Sequence, residues 1–183
     1  MQELIKFWSD RGDNIIKFDY DDIKARIGKD EYAKCLSQNG LPEETAPYLN
    51  FDNSIYKDDE FMLAEDFVNG DNYFVIGFTG SGNGICIEKD TGRIVWIDAE
   101  EGGIHFINSS LEQFYKCMQG YAVFIDKTIE KYGDADGYTE EELDILKNEL
   151  KAIDGKALEV SEDEEIWAFW AEEIDILYGK LDE

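Results

Sequence analysis

The chain has 183 residues and a mass of 21.0 kDa, with 43% hydrophobic, 14% aromatic and 33% charged residues. A chain of this size buries about 70% of its unfolded surface in one core, which excludes disorder and any need for disulfide staples and fits a single domain over residues 1–183. The 43 acidic and 17 basic residues give a formal net charge of −26, a field that repels nucleic acid and anionic membrane and speeds encounter with a basic protein, although solubility alone also accounts for it.

In chain order, "MQELIKFWSDRGD" lacks the basic segment and long apolar run of a secretory signal, and no apolar stretch approaches the ~18 residues of a membrane span. A cytoplasmic protein is expected. "LIKFW" reads as a short helix, "FDYDDIKARIG" as a second and "DEYAKCLSQNG" as a third that stops at Gly40. Pro42 and Pro47 then break the chain. Beyond them the period changes: "YLNFD", "EFMLAEDF", "NYFVIGFT", "GICIEK", "GRIVWID" and "IHFIN" are short, β-branched or aromatic, and separated by turn residues. They predict a mainly antiparallel sheet.

"GFTGSGNG" at residues 77–84 has the glycine density of a phosphate loop, but such a loop must hand the chain into a helix N-terminus. Here "GICIEK" follows, an apolar strand, so the glycines predict a hairpin that binds no nucleotide. "KDTGR" supplies the next hairpin, with Gly92 at a positive φ.

"NSSLEQFYKCMQGYAVFIDKTIEKYG" then places Leu111, Phe114, Tyr115, Met118, Ala122, Ile125 and Ile129 at helical steps behind a capping box of Ser109 and Glu112. Two further helices are predicted. One is capped by Thr139 with Glu142 and buries Leu143, Leu146, Leu150 and Ile153; the other is capped by Ser161 with Glu164 and buries Ile166, Phe169, Trp170 and Leu177. The chain shows no internal repeat and no low-complexity linker.

Candidate chemistry is sparse. Cys35, Cys86 and Cys117 are odd in number and widely spaced, which fits buried thiols better than a disulfide framework or a zinc site. His105 lies in a strand-like segment without a nucleophile motif, so a packed or edge-strand histidine is expected. "YGDADGYTEEEL" copies part of a calcium loop, but its register puts Tyr132 and Leu143 where the first and last oxygen ligands belong. A solvated turn capping the next helix is the better reading. Trp167 and Trp170 have helical spacing and read as core, and carboxylate pairs arise by chance among so many acidic residues.

The order of the pieces carries more information than any one of them. "GLP" at Gly40–Pro42, "YLNF", "YFVIGFTGSGNGICIEKDTGRIVWID", "INSSLEQF" opening a long helix, and a final helix with "FW" together resemble the SUKH superfamily of bacterial immunity proteins, most closely its fourth family, over roughly residues 35–178. The resemblance implies an α+β fold, a twisted, mainly antiparallel sheet flanked by N-terminal and C-terminal helices. It implies a protein that binds and neutralises a cognate toxin domain, often a nuclease or nucleic-acid deaminase, of a polymorphic or contact-dependent toxin system. It carries no catalytic residue, cofactor or metal, and makes Gly77, Gly92, Asn108, Ser109 and Phe114 fold markers.

The partner expected on this reading is a basic toxin domain, with no nucleic acid and no membrane. The candidate partner-binding residues are the exposed acidic clusters Asp58, Asp59, Glu60, Glu65 and Asp66, and Asp134, Asp136, Glu140 and Glu141, since each cluster is too charged to bury without partners. The C-terminal part is the denser in charge: 23 acidic and 11 basic residues precede residue 126, and 20 and 6 follow from there on. Two other readings stay open. One is an acidic mimic that puts carboxylates where phosphates would sit in a nuclease groove; the other is a small-ligand or calcium-binding regulatory domain using the 77–84 loop or the 134–142 turn.

Overall fold

A computed structural model describes residues 2–53, 72–98, 103–160 and 168–181. Helix α1 (Gln2–Arg11) leads through strand β1 (Ile15–Ile16) to α2 (Tyr20–Ile27) and α3 (Asp30–Lys34), which runs on into a π-helical turn at Cys35–Asn39. Strands β2 (Leu41–Pro42), β3 (Glu44–Thr45), β4 (Leu49–Phe51), β5 (Tyr73–Thr79), β6 (Gly84–Glu88), β7 (Ile94–Ile97) and β8 (Ile104–Asn108) follow. The chain then closes with α4 (Leu111–Tyr132), α5 (Glu140–Ile153), a 3-10 turn at Gly155–Leu158, and α6 (Phe169–Lys180). This is the α+β architecture expected, with helices on either side of the strands in sequence.

Strands β3 to β8 pair in chain order as one six-stranded antiparallel meander, and β1 pairs with β2 in a small ladder of its own. Pro42 therefore does not simply break the chain: it pairs with Ile15 in a two-residue strand, where the missing N–H is tolerated. Side chains alternate across the sheet. Phe74, Ile76, Ile85, Ile87 and Ile94 join the large core cluster shared with the helices. Cys86, Val95 and Ile97, with Tyr73 and Val75 against them, form a smaller cluster on the other face. The predicted strand "EFMLAEDF" lies outside the described residues.

The fold markers have physical reasons. Gly77 stands opposite Phe51 in the β4–β5 register, and a Cβ there would lie 2.2 Å from the Asn50 carbonyl oxygen, so only glycine lets the strands close. Gly92 takes φ +80° in the β6–β7 turn, and its carbonyl accepts a 2.8 Å hydrogen bond from the Tyr32 hydroxyl. That bond ties the hairpin to α3.

On α4, Phe114 is fully buried and meets Phe51 edge-on at 5.9 Å. Leu111, Tyr115, Met118 and Ala122 are buried as the spacing predicts, Ile125 is half-buried, and Ile129 is exposed while Phe124 and Thr128 take the inward positions. The cap is one residue later than predicted. Ser110, not Ser109, accepts the N–H of Gln113.

Ser109 is used differently: its N–H and hydroxyl both donate to Asp154, at 2.7 and 3.0 Å, and Asn108 Nδ2 donates to the same carboxylate at 3.1 Å. Asn108 Oδ1 in turn accepts from Trp170 Nε1 at 2.9 Å. This buried polar knot joins the end of β8 to α5 and α6. Trp170 is core, as expected, while Trp167, Ile166 and the Ser161–Glu164 cap lie outside the described residues.

The Thr139–Glu142 capping box of α5 is complete, each side chain bonded to the other's backbone N–H. The three cysteines are buried and free; burial raises the Cys86 thiol and pushes Cys117 to about 12. His105 stacks on its cross-strand neighbour Trp96, ring centroids 3.9 Å apart. Among the described residues no helix is long and apolar enough to cross a membrane.

Candidate functional site

The β3–β4 connection is the three-residue loop Ala46-Pro47-Tyr48, closed by the Thr45–Leu49 pair and containing a cis Ala46–Pro47 peptide. Tyr48 has φ +56°, a left-handed conformation that a bulky side chain rarely adopts, and its side chain is 80% exposed. The reading of "YLNFD" as a strand from its first residue is therefore corrected: the strand begins at Leu49, and Tyr48 is turned out of it.

Leu49 pairs with Thr79, which brings this loop beside the glycine-rich turn. That turn is the β5–β6 hairpin, closed by Thr79 N–H to the Asn83 carbonyl at 2.8 Å and Gly82 N–H to the Thr79 carbonyl at 2.9 Å. It leads into a strand, as predicted, and presents no helix N-terminus. Gly80 serves another end: a Cβ there would sit 3.0 Å from Tyr48 Cβ, so the two loops touch because one lacks a side chain.

Facing the loops are Tyr121 and Ile125 of α4, Ala135 and Asp136 of the α4–α5 turn, and Leu177 and Lys180 of α6. Together they enclose an open cleft of about 480 Å³. Its floor is apolar and its rim carries Glu44, Asp136 and Lys180. Lys180 Nζ lies 2.9 Å from Asp136 Oδ1, and that carboxylate holds the ammonium above its ordinary pKa. The Tyr138 hydroxyl donates to the Leu177 carbonyl at 2.9 Å, fixing the turn against α6.

Glu173, Leu177 and Lys180 follow one another at steps of four and three, so they share a face of α6. Burial first, and the Glu172 carboxylate second, push Glu173 up to about 7, with Lys180 pulling the other way. A second groove, about 610 Å³, runs between α4 and α5. It is rimmed by Lys127 and Lys131 as well as Glu130, Glu142 and Glu149, so it favours neither sign of charge.

Asp58, Asp59, Glu60, Glu65 and Asp66 lie outside the described residues. Asp134, Asp136, Glu140 and Glu141 are exposed, as expected. Asp134 Oδ1 accepts the Asp136 N–H at 3.1 Å, and Glu140 and Glu141 occupy the first turn of α5, where the helix dipole favours them. Asp136 is the one of the four that lines the cleft. Among the described residues no group of three or more histidine, cysteine or acidic side chains is placed to hold a metal ion.

Sequence reasoning missed Glu44, Tyr48 and Lys180. An aromatic residue ahead of a strand pattern has no local mark that distinguishes it from the strand itself, and the cleft is assembled from five separate stretches of chain.

A family model for the SUKH-4 immunity protein matches residues 10–173. The match begins in α1, further toward the N-terminus than the quoted motifs reach. Compared with the curated proteins and with the solved structures, the chain has no significant match. The match takes in the whole meander, the Asp154 knot and most of the Tyr48 cleft, and by it the chain belongs to the SUKH-4 immunity protein family.

Proposed function

We propose that this immunity protein works by binding, without catalysis, and that its partner is a basic toxin domain of nuclease or deaminase type. The observation that carries the reading is an exposed acidic cluster, Asp134, Asp136, Glu140 and Glu141, on a chain of net charge −26 that belongs to an immunity family. Such a field concentrates a cationic partner and orients its approach. The cluster Asp58, Asp59, Glu60, Glu65 and Asp66 is assigned the same steering role.

Charges at an interface rim act on association rate, whereas charges buried against a partner act on dissociation. Neutralising Asp58, Asp59 and Glu60 to the amides, or Asp134, Asp136, Glu140 and Glu141 to theirs, should slow association and flatten its dependence on salt. The experiment is stopped-flow mixing with the toxin domain encoded by the neighbouring gene, from low to physiological salt, beside growth rescue of cells expressing that toxin. Wild-type kinetics and full protection in both sets of variants would remove acidic steering; absence of binding by the unaltered protein would remove the immunity role.

A further inference from the structure

We propose that the Tyr48 cleft is where the toxin docks, and that it takes an arginine side chain of the toxin between the Tyr48 ring and the Asp136 carboxylate, displacing Lys180. The proposal rests on the immunity reading above and names its surface.

Tyr48 is the most exposed of the large apolar side chains among the described residues, at 80%, and it is held at φ +56°. A backbone conformation of this kind persists only where the surroundings impose it, and such residues cluster at binding sites. Exposed to this degree, the ring gains little from burial in the free protein. Tyrosine is also among the residues that dominate binding energy at interfaces, because it offers a large rigid area with few rotors to order.

The cleft beside it has the shape and charge for one kind of occupant. Pro47, Leu49, Ile125 and Leu177 make an apolar lining, suited to the methylene stem of a long side chain, and once Lys180 is displaced the remaining charged groups, Glu44 and Asp136, are both acidic and suit its head. Arginine fits better than lysine because its planar guanidinium both stacks on an aromatic face and meets a carboxylate through two N–H groups.

Lys180 is the second, independent observation. The protein already places a cation against Asp136, at 2.9 Å, with the lysine and aspartate side chains 40% and 55% exposed. A half-exposed ion pair of this kind holds together weakly and exchanges readily with a competing cation. Lys180 thus marks the cation position and competes for it.

The competition gives the test an unusual sign. Binding to the toxin domain encoded by the neighbouring gene should weaken at least ~30-fold in Tyr48→Ala, the loss expected of an anchor residue, and ~10-fold in Asp136→Asn. Lys180→Gln should bind a few-fold more tightly, by roughly the small worth of an exposed pair. A role confined to folding predicts no such gain. Tyr48 replaced by a photo-crosslinking phenylalanine should attach to the toxin within a few residues of an arginine.

Wild-type affinity in Tyr48→Ala, or attachment nowhere on the toxin, overturns the cleft while leaving the immunity role standing. Weakened binding in Lys180→Gln overturns the displacement. No binding by the unaltered protein overturns the immunity reading, and this proposal with it.

Discussion

Asp154 is 4% exposed and its carboxylate accepts three hydrogen bonds from Asn108 and Ser109; Tyr48 is 80% exposed and sits in a backbone conformation its side chain disfavours. At the first, every polar group is matched and the chain ends up where burial and hydrogen bonding both want it. At the second, an apolar ring is left in water on a strained loop. Burial and hydrogen bonding account for the knot but not for the exposed ring, so on the proposal above the two regions separate what holds the chain folded from what it keeps for a partner. Substitutions that act on stability belong to the first, and those that spare it to the second.

The largest effect is expected beside the knot, in the core it anchors. Phe114→Ala removes a fully buried ring that meets Phe51, and should cost ~3–5 kcal/mol in urea melts, a large share of a domain's typical stability. A cost under about 1 kcal/mol would mean that α4 is peripheral. Asp154→Ala comes next, at about 2–4 kcal/mol, because the Asn108 amide and the Ser109 donors lose their acceptor inside the protein. Ser109→Ala should cost less, since the Ser109 N–H still reaches Asp154. Equal costs for the two would show that the knot is not the unit it looks to be.

These differences track what the sequence could and could not reveal. The long α4, the Thr139–Glu142 cap and the hairpins were legible because each is encoded within a few residues by period, cap or turn chemistry. Ser109 reads as a cap for the same reason, being a serine three residues before Glu112, and the structure moves the cap to Ser110 because Ser109 is occupied by Asp154, 45 residues away. A long-range acceptor leaves no mark on local pattern. The Tyr48 cleft was illegible on both counts: its φ reverses the strand reading, and its walls come from the β3–β4 loop, Gly80, α4, the acidic turn and α6. Composition did point to Asp136 as exposed, though not to Lys180 as its partner.

Between the two extremes stands Glu173, partly buried on the face of α6 that carries Leu177 and Lys180, whose carboxyl is raised by burial first to about 7 from an unfolded value of 4.5. With the folded pKa the higher, the folded state binds the extra proton between those values. Its contribution to stability is therefore complete below pH 4.5 and is lost as pH rises through about 7. Glu173→Gln should flatten the stability profile across that window and make the protein more stable than wild type at pH 8, by about 1–3 kcal/mol. Thermal melts from pH 4 to 8 read it directly. A variant no more stable at pH 8 would mean that the ionised carboxylate costs the fold nothing, and that Glu173 belongs with the exposed region.

The smallest effect on stability is expected at Tyr48 itself, and its sign sharpens the comparison most. At φ +56° a tyrosine bears a cost of roughly 1–2 kcal/mol that glycine does not, while glycine adds up to about 1 kcal/mol of unfolded-state freedom that folding must remove. The ring, being exposed, offers little burial to set against either term. Tyr48→Gly should thus leave the melting temperature unchanged or raise it by at most a few degrees, the shift that about 1 kcal/mol produces in a domain of this size. A substitution that removes the most exposed aromatic among the described residues, costs the fold nothing and abolishes protection against the toxin is the signature of a residue retained for binding at the expense of stability. The measurement pairs differential scanning calorimetry of the purified variant with growth of toxin-expressing cells that carry it. A fall in melting temperature of more than about 5 °C would place the ring in the folding core instead, and the contrast with Asp154 would collapse.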